Sequence, residues 1–153
     1  MIEAIIRFLD LLLVSLLVGA MFGVWLFFNP VGLSPSFYVE LHQHGVRVLN
    51  TPMPIFGAVC TILTAVLAIL SRGNQTVCYL LIATVVCLVA AGLITRFLNQ
   101  PINSQVMTWS IQAPPSNWTE LRDQWWQWHV LRTVAGIGAL SLLILATLTG
   151  RDV

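Results

Sequence analysis

Residues 48–95, VLNTPMPIFGAVCTILTAVLAILSRGNQTVCYLLIATVVCLVAAGLIT, carry a single charged side chain, Arg72. A bilayer's hydrocarbon core takes about 20 apolar residues of helix, so 48–71 and 73–95 are each long enough to cross one. Only Ser71-Arg72-Gly73-Asn74 separates them, which makes the pair an antiparallel hairpin. Working outward, 11–28 and 133–150 also lack Asp, Glu, Lys and Arg, and Asn29-Pro30 stops the first of these. Four membrane-spanning helices follow.

Composition gives the same class. The chain of 153 residues is 58% apolar and 8% charged, with a mean hydropathy of +0.86. Soluble domains carry about 25% charged residues, so this chain cannot cover a water-facing surface. It excludes extended disorder, and a net charge of +1 offers no basic surface for nucleic acid. The expected fold is all-α: one domain over 1–153, an integral-membrane four-helix antiparallel bundle with helices near 5–28, 51–71, 75–98 and 124–149 and with the lipid bilayer as its partner. Glu3 and Asp10 stand where a secretory signal would be basic, so the first helix is expected to be retained. Asp10, three residues from Arg7, reads as a local ion pair. Cys60, Cys78 and Cys87 lie in apolar runs without C-x-x-C spacing and read as small buried hydrophobes. Gly19 with Gly23, and Ala135 with Ala139, have the small-xxx-small spacing that lets membrane helices approach closely.

Most polar residues fall in two insertions, 29–50 and 96–132. An even number of spans puts both on the same side, where they can build one site. Arg7, Arg72 and Arg151 lie toward one side, and Arg47, Arg96 and Arg122 toward the other, so charge asymmetry does not orient the chain. Short-loop architecture favours cytoplasmic termini, and nothing in the sequence sets an oligomeric state.

Taken as a helix, 38–50 gathers Glu40, Gln43, His44, Arg47 and Asn50 on one face. That face is expected to look into the bundle, with His42 turned away, although an amphipathic interfacial helix gives the same pattern. The start of the last helix aligns Arg122, Trp125, Trp126, His129, Arg132, Thr133 and Gly136. His129 and Arg132 lie near or within the hydrocarbon region, where ionisable residues are costly and face a bundle interior or cavity. Trp125, Trp126 and Trp128 suit an interfacial belt as well as a ligand. Between these segments, Arg96, Asn99 and Asn103 flank Pro101, which is expected to bend the chain, with Trp109 following.

These residues carry a resemblance. RFLNQPINSQVMTW (96–109) and WTELRDQWWQWHVLRTVAG (118–136) resemble the paired signature of the anthrone oxygenase-like family of small four-helix membrane proteins, with FYVELHQHGVRVLNTPMPIFG (37–57) similar to the segment before the second helix. The matching positions are His42, Gln43, Asn50, Asn99, Pro101, Asn103, Trp125, His129 and Arg132. His44 is not among them and stays a candidate on the residue pattern alone. The resemblance implies oxidation of a hydrophobic aromatic, anthrone- or phenol-like small molecule without an evident cofactor. In that reading His129 is the base, kept neutral by burial, and Arg132 or Arg96 stabilises the enolate. Asn99 and Asn103 hold substrate oxygens, while Gln43, Arg47, Asn50, Trp109 and Trp125 bind the substrate. Two alternatives stand beside it: a metal or haem held by His42 or His44 with His129, and a small transporter or partner subunit without chemistry.

Overall fold

A computed structural model describes residues 2–150, Ile2 by its backbone only; Arg151 lies outside the described residues. The elements are α1 (Ile2–Phe27), α2 (Pro35–Leu49), α3 (Pro52–Leu70), α4 (Gln75–Ile94), a π-helical turn (Thr95–Asn99), α5 (Gln100–Val106) and α6 (Trp118–Thr149). No strand occurs among the described residues. Side chains and prolines set the boundaries. Ser34 caps α2 by accepting from Phe37 N at 3.4 Å, with Pro35 next, where its missing N–H is not needed. Asn74 accepts from Val77 N at 3.2 Å to open α4. Gly32, at φ +90°, makes the turn between α1 and α2.

The four long helices form an antiparallel ring in the order α1, α3, α4, α6, with α6 closing against α1. Each is long and apolar enough to cross a membrane. Phe8, Leu16, Ile62, Ile69, Val86 and Leu145 are exposed around the ring, an apolar surface that soluble monomers rarely carry. Thr84, Thr133, Ser141 and Thr147 return their hydroxyls to carbonyls four residues back, so they leave no free donor in the apolar helices.

Two helices are longer than the sequence reading. The third span does not bend away at Pro101: α4, the π turn and α5 form one helical rod over Gln75–Val106. Within the π turn Gln100 N reaches Thr95 O, and the proline follows at the start of α5, where its lost N–H and bulky ring are absorbed by the widened turn. The last helix begins at Trp118, six residues before the expected 124, and its 32 residues span about 48 Å. The second insertion is therefore largely helical, leaving 107–117 as the irregular stretch.

Packing makes two cores. Val14, Leu17, Leu67, Leu81, Leu88 and Leu143 fill the half nearer the termini. Phe28, Tyr38, Val39, Ile102, Val106 and Trp125 fill the other, flanked by Trp109, Trp118, Trp126 and Trp128. At Gly136 of α6 the Met21 side chain of α1 occupies the space an added Cβ would need, whereas Gly19 and Gly23 have no neighbour within reach of such a Cβ. The spacing of Gly19 and Gly23 thus does not mark a packing seam. Arg7 pairs with Glu3 at 2.8 Å and not with Asp10, which turns inward and meets Thr64 of α3.

Candidate functional site

α2 lies over the tryptophan-rich end of the ring and touches α3 and α5. Its buried residues are Tyr38, Val39, His42 and Gln43, whereas His44 and Arg47 are exposed. The helix is thus turned by about 100°, one residue's rotation, from the face expected from its polar stripe. The apolar area of Tyr38 and Val39 decides the rotation, because burying it is worth more than wetting or burying a stripe of charge. His42, expected to look away, goes inside; His44 and Arg47, expected inside, do not.

Three helices, α2, α5 and α6, meet at Asn103. Its Oδ1 takes Trp125 Nε1 at 2.8 Å and lies 3.1 Å from His42 Nε2, and its Nδ2 donates to Asn50 Oδ1 at 3.1 Å. A carbonyl oxygen only accepts, so His42 carries its proton on Nε2, and Nδ1 keeps a lone pair that has no hydrogen-bond partner. Burial pushes the His42 pKa down to about 4, opposed by the bond to Asn103. Aromatic rings enclose this imidazole: Trp125 at 4.8 Å, Tyr38 at 5.3 Å and Phe28 at 6.0 Å between centroids. Burial also raises the Tyr38 phenol above its usual range, with Arg122 opposing.

On α6 the Trp125 indole stacks on His129, with centroids 5.2 Å apart and rings inclined by 3°. Arg132 places Nη2 2.9 Å and Nε 3.2 Å from His129 Nδ1, and its Nη1 donates to Thr95 Oγ1 at 3.2 Å. A guanidinium only donates, so the lone pair of His129 is committed to Arg132, and the opposite ring nitrogen, Nε2, is buried without a hydrogen-bond partner. Among the described residues Arg132 has no carboxylate partner.

A partly open cavity of about 820 Å³ lies beneath α2, walled by α1, α3 and α4 and reached by α6. Leu17, Val24, Met53, Gly57, Leu88 and Gly92 make much of its wall, and His42, His44, Asn50, Arg96, Asn103, Trp125 and Arg132 contribute to its lining. Gly23, empty of Cβ contacts, borders the space. His129 and Asn99 are not in the lining. Asn99 is buried and donates to the Trp125 carbonyl at 3.1 Å; both residues stand behind the wall and hold what faces the cavity. Gln43 clamps α2 to the end of α5 by donating to the carbonyls of Val106 and Trp109 at 2.9 and 3.0 Å, so Gln43 and Trp109 are joined away from the cavity. Arg47 borders a separate shallow groove with Glu40 and His44.

The three histidines stand in different surroundings. His42 Nε2 is engaged by Asn103 and His129 Nδ1 by a cation, while His44 is exposed. Among the described residues no three His, Cys, Asp or Glu side chains gather as a metal-binding group. Sequence reasoning missed Phe28, Tyr38 and Thr95. Tyr38 was at hand, one helical turn before His42 on the stripe that is buried; Thr95, at the end of an apolar run, had no signal of its own.

No curated protein matches this chain, and no solved structure matches it. A family model for anthrone oxygenase matches residues 46–142, which takes in Asn50, Asn99, Asn103, Trp125, His129 and Arg132 and leaves most of α2 outside. With nearly two thirds of its length matched, including both asparagines and the Trp-His-Arg run of α6, the chain belongs to the anthrone oxygenase family.

Proposed function

We propose that the protein is a membrane-embedded oxygenase that takes a hydrophobic, anthrone-like aromatic from the bilayer and converts its activated methylene to a carbonyl. The observation that carries this reading is the cavity: apolar walls of a volume suited to a polycyclic ligand, with the Arg132 guanidinium, which has no carboxylate partner, and the buried His42 imidazole in its lining. The overall change is R₂CH₂ + O₂ → R₂C=O + H₂O. The methylene of an anthrone is acidic because its carbanion is an aromatic enolate, so a base and an anion-stabilising group suffice to start the reaction.

The geometry favours His42 over His129 as the base, because its Nδ1 lone pair is unengaged and it borders the cavity. Arg132 stabilises the enolate oxygen, with Arg96 nearby in the lining. His129 and Thr95 fix the guanidinium, and Asn103 fixes the tautomer of His42. The enolate carbon then reacts with dioxygen to give a hydroperoxide. Loss of water, with the second methylene proton leaving as the O–O bond breaks, yields the quinone carbonyl.

Purified protein in lipid nanodiscs tests this with an anthrone in air-saturated buffer, following quinone absorbance and oxygen uptake together. Wild type is expected to exceed the spontaneous oxidation rate, with one O₂ consumed per quinone formed and with Arg132→Gln near background. A wild-type rate equal to that of empty nanodiscs, across anthrones of differing ring size, would overturn the proposal.

A further inference from the structure

Beyond the cavity the bundle holds a second polar feature that the oxygenase reading does not use. Asp10 of α1 is fully buried, seven residues or about 10 Å along the helix from Leu17 in the cavity wall. The apolar core of this half of the bundle includes Val14, Leu67, Val77, Leu81, Leu143 and Ala146. Of the carboxyl's two oxygens, Oδ1 lies 2.8 Å from Thr64 Oγ1 and Oδ2 has no partner.

The Thr64 hydroxyl can serve either protonation state, donating to an ionised Asp10 or accepting from a protonated one while it donates to Cys60. It lies 2.8 Å from Asp10 Oδ1 and 2.9 Å from the Cys60 carbonyl. A hydroxyl has one hydrogen, and the Cys60 carbonyl can only accept. Giving that hydrogen to Cys60 leaves an oxygen lone pair facing Asp10, and the contact becomes a hydrogen bond only when Asp10 donates. An ionised carboxylate with at best one shared donor would be stranded in an apolar interior. A carboxylic acid completes the chain Asp10, Thr64, Cys60 carbonyl with every hydrogen placed.

We infer that Asp10 is held as a neutral carboxylic acid and gives the bundle a proton-binding site in the half remote from the tryptophan-rich end. The charged or titratable neighbours are few. On α1, Arg7 stands one turn away on the same face, bonded through Nη2 to Glu3, while its Nη1 is buried without a partner. α3 contributes Thr64 and the buried Cys60 thiol. The α4 and α6 residues of this core, Val77, Leu81, Leu143 and Ala146, carry no charge. Arg7 is committed to Glu3 and makes no ion pair with Asp10, so a carboxylate here would have no counter-ion, and the acid bonded to Thr64 is the state the core accommodates. This places a proton-carrying group within a span, the feature that a proton-coupled role requires, where the sequence reading made Asp10 the partner of Arg7.

A hydrophobic carbodiimide tests it on the intact protein in nanodiscs. Such reagents partition into the apolar phase and react with protonated carboxyls, the acid adding across a C=N bond and rearranging to an N-acylurea with no leaving group. Peptide mapping is expected to find the adduct at Asp10 in wild type at neutral pH, with loss of that adduct in Asp10→Asn. Infrared spectra give an independent reading: a protonated-carboxyl C=O band present in wild type, absent in Asp10→Asn, and shifted in Thr64→Val. Absence of that band from folded wild type at neutral pH would overturn the inference, as would a band unchanged by Asp10→Asn; an adduct confined to Glu3 or other exposed carboxyls would do the same.

Discussion

The Nδ1 atom of His129 receives the Arg132 guanidinium at 2.9 Å, one helical turn along α6, so a histidine that reads as a base in the sequence acts as a cradle for a cation. The arginine is then the residue presented to the cavity. This reverses the usual expectation for a buried imidazole near a ligand site.

A first prediction separates those roles. Arg132→Gln is expected to lower kcat for anthrone oxidation about 10²–10³-fold, the range for loss of one anion-stabilising donor. His129→Asn, which keeps an acceptor for the guanidinium, should retain clearly more activity than His129→Ala. Equal losses in the two His129 variants would mean that the ring itself takes the proton.

His42 gives the complementary result. His42→Ala should reduce the rate by about 10²–10⁴, as for removal of a general base, while the affinity for a non-reactive quinone analogue, followed by tryptophan fluorescence, stays near wild type. Unchanged turnover would return the role of base to another group.

The pH dependence of stability follows from the same histidine. Its folded pKa is lowered from 6.5 to about 4 by burial, so between those values the unfolded chain binds a proton that the folded protein excludes. Stability is therefore complete above about pH 6.5 and declines as the pH falls toward 4, by up to roughly 3 kcal/mol. Thermal denaturation in detergent, compared between wild type and His42→Asn, should show a steeper acid loss in wild type.

Asn103 joins α5 to His42 of α2, to Asn50 at the end of α2 and to Trp125 of α6, so its truncation releases three partners at once. Asn103→Ala is expected to destabilise the fold by about 2–4 kcal/mol, read as a lowered midpoint of thermal unfolding. Arg47→Ala, on an exposed position outside this network, should leave that midpoint unchanged. A fall in both would restore the polar stripe of α2 as a buried face.

The spans were legible because absence of charge over 18 or more residues has few other meanings, and the meeting of the two insertions followed from counting crossings. The rotation of α2 was not. A polar stripe and an apolar stripe 100° apart share Gln43 and Asn50, and only the partners, Phe28 and Trp125, reveal that Tyr38 and His42 face inward. Asn99, Asn103, His129 and Arg132 were found by residue type and place, but which of them reach the cavity depends on side-chain hydrogen bonds between helices. Asp10 was misread because sequence spacing placed Arg7 beside it, whereas Arg7 had Glu3 one turn earlier.

The π turn at Thr95–Asn99 makes the site a matter of phase. One residue more in the rod rotates everything beyond it by about 100°, and that offset brings Asn99 under Trp125 and Asn103 to His42 and Asn50. The same residues in an unbroken α register would point both amides elsewhere with no change of composition. Loss or gain of one residue in this short stretch is thus graver than many substitutions in it, while the part of the connection after Trp109 and Ile111, beyond the Gln43 clamp and the core contacts, is freer to vary in length.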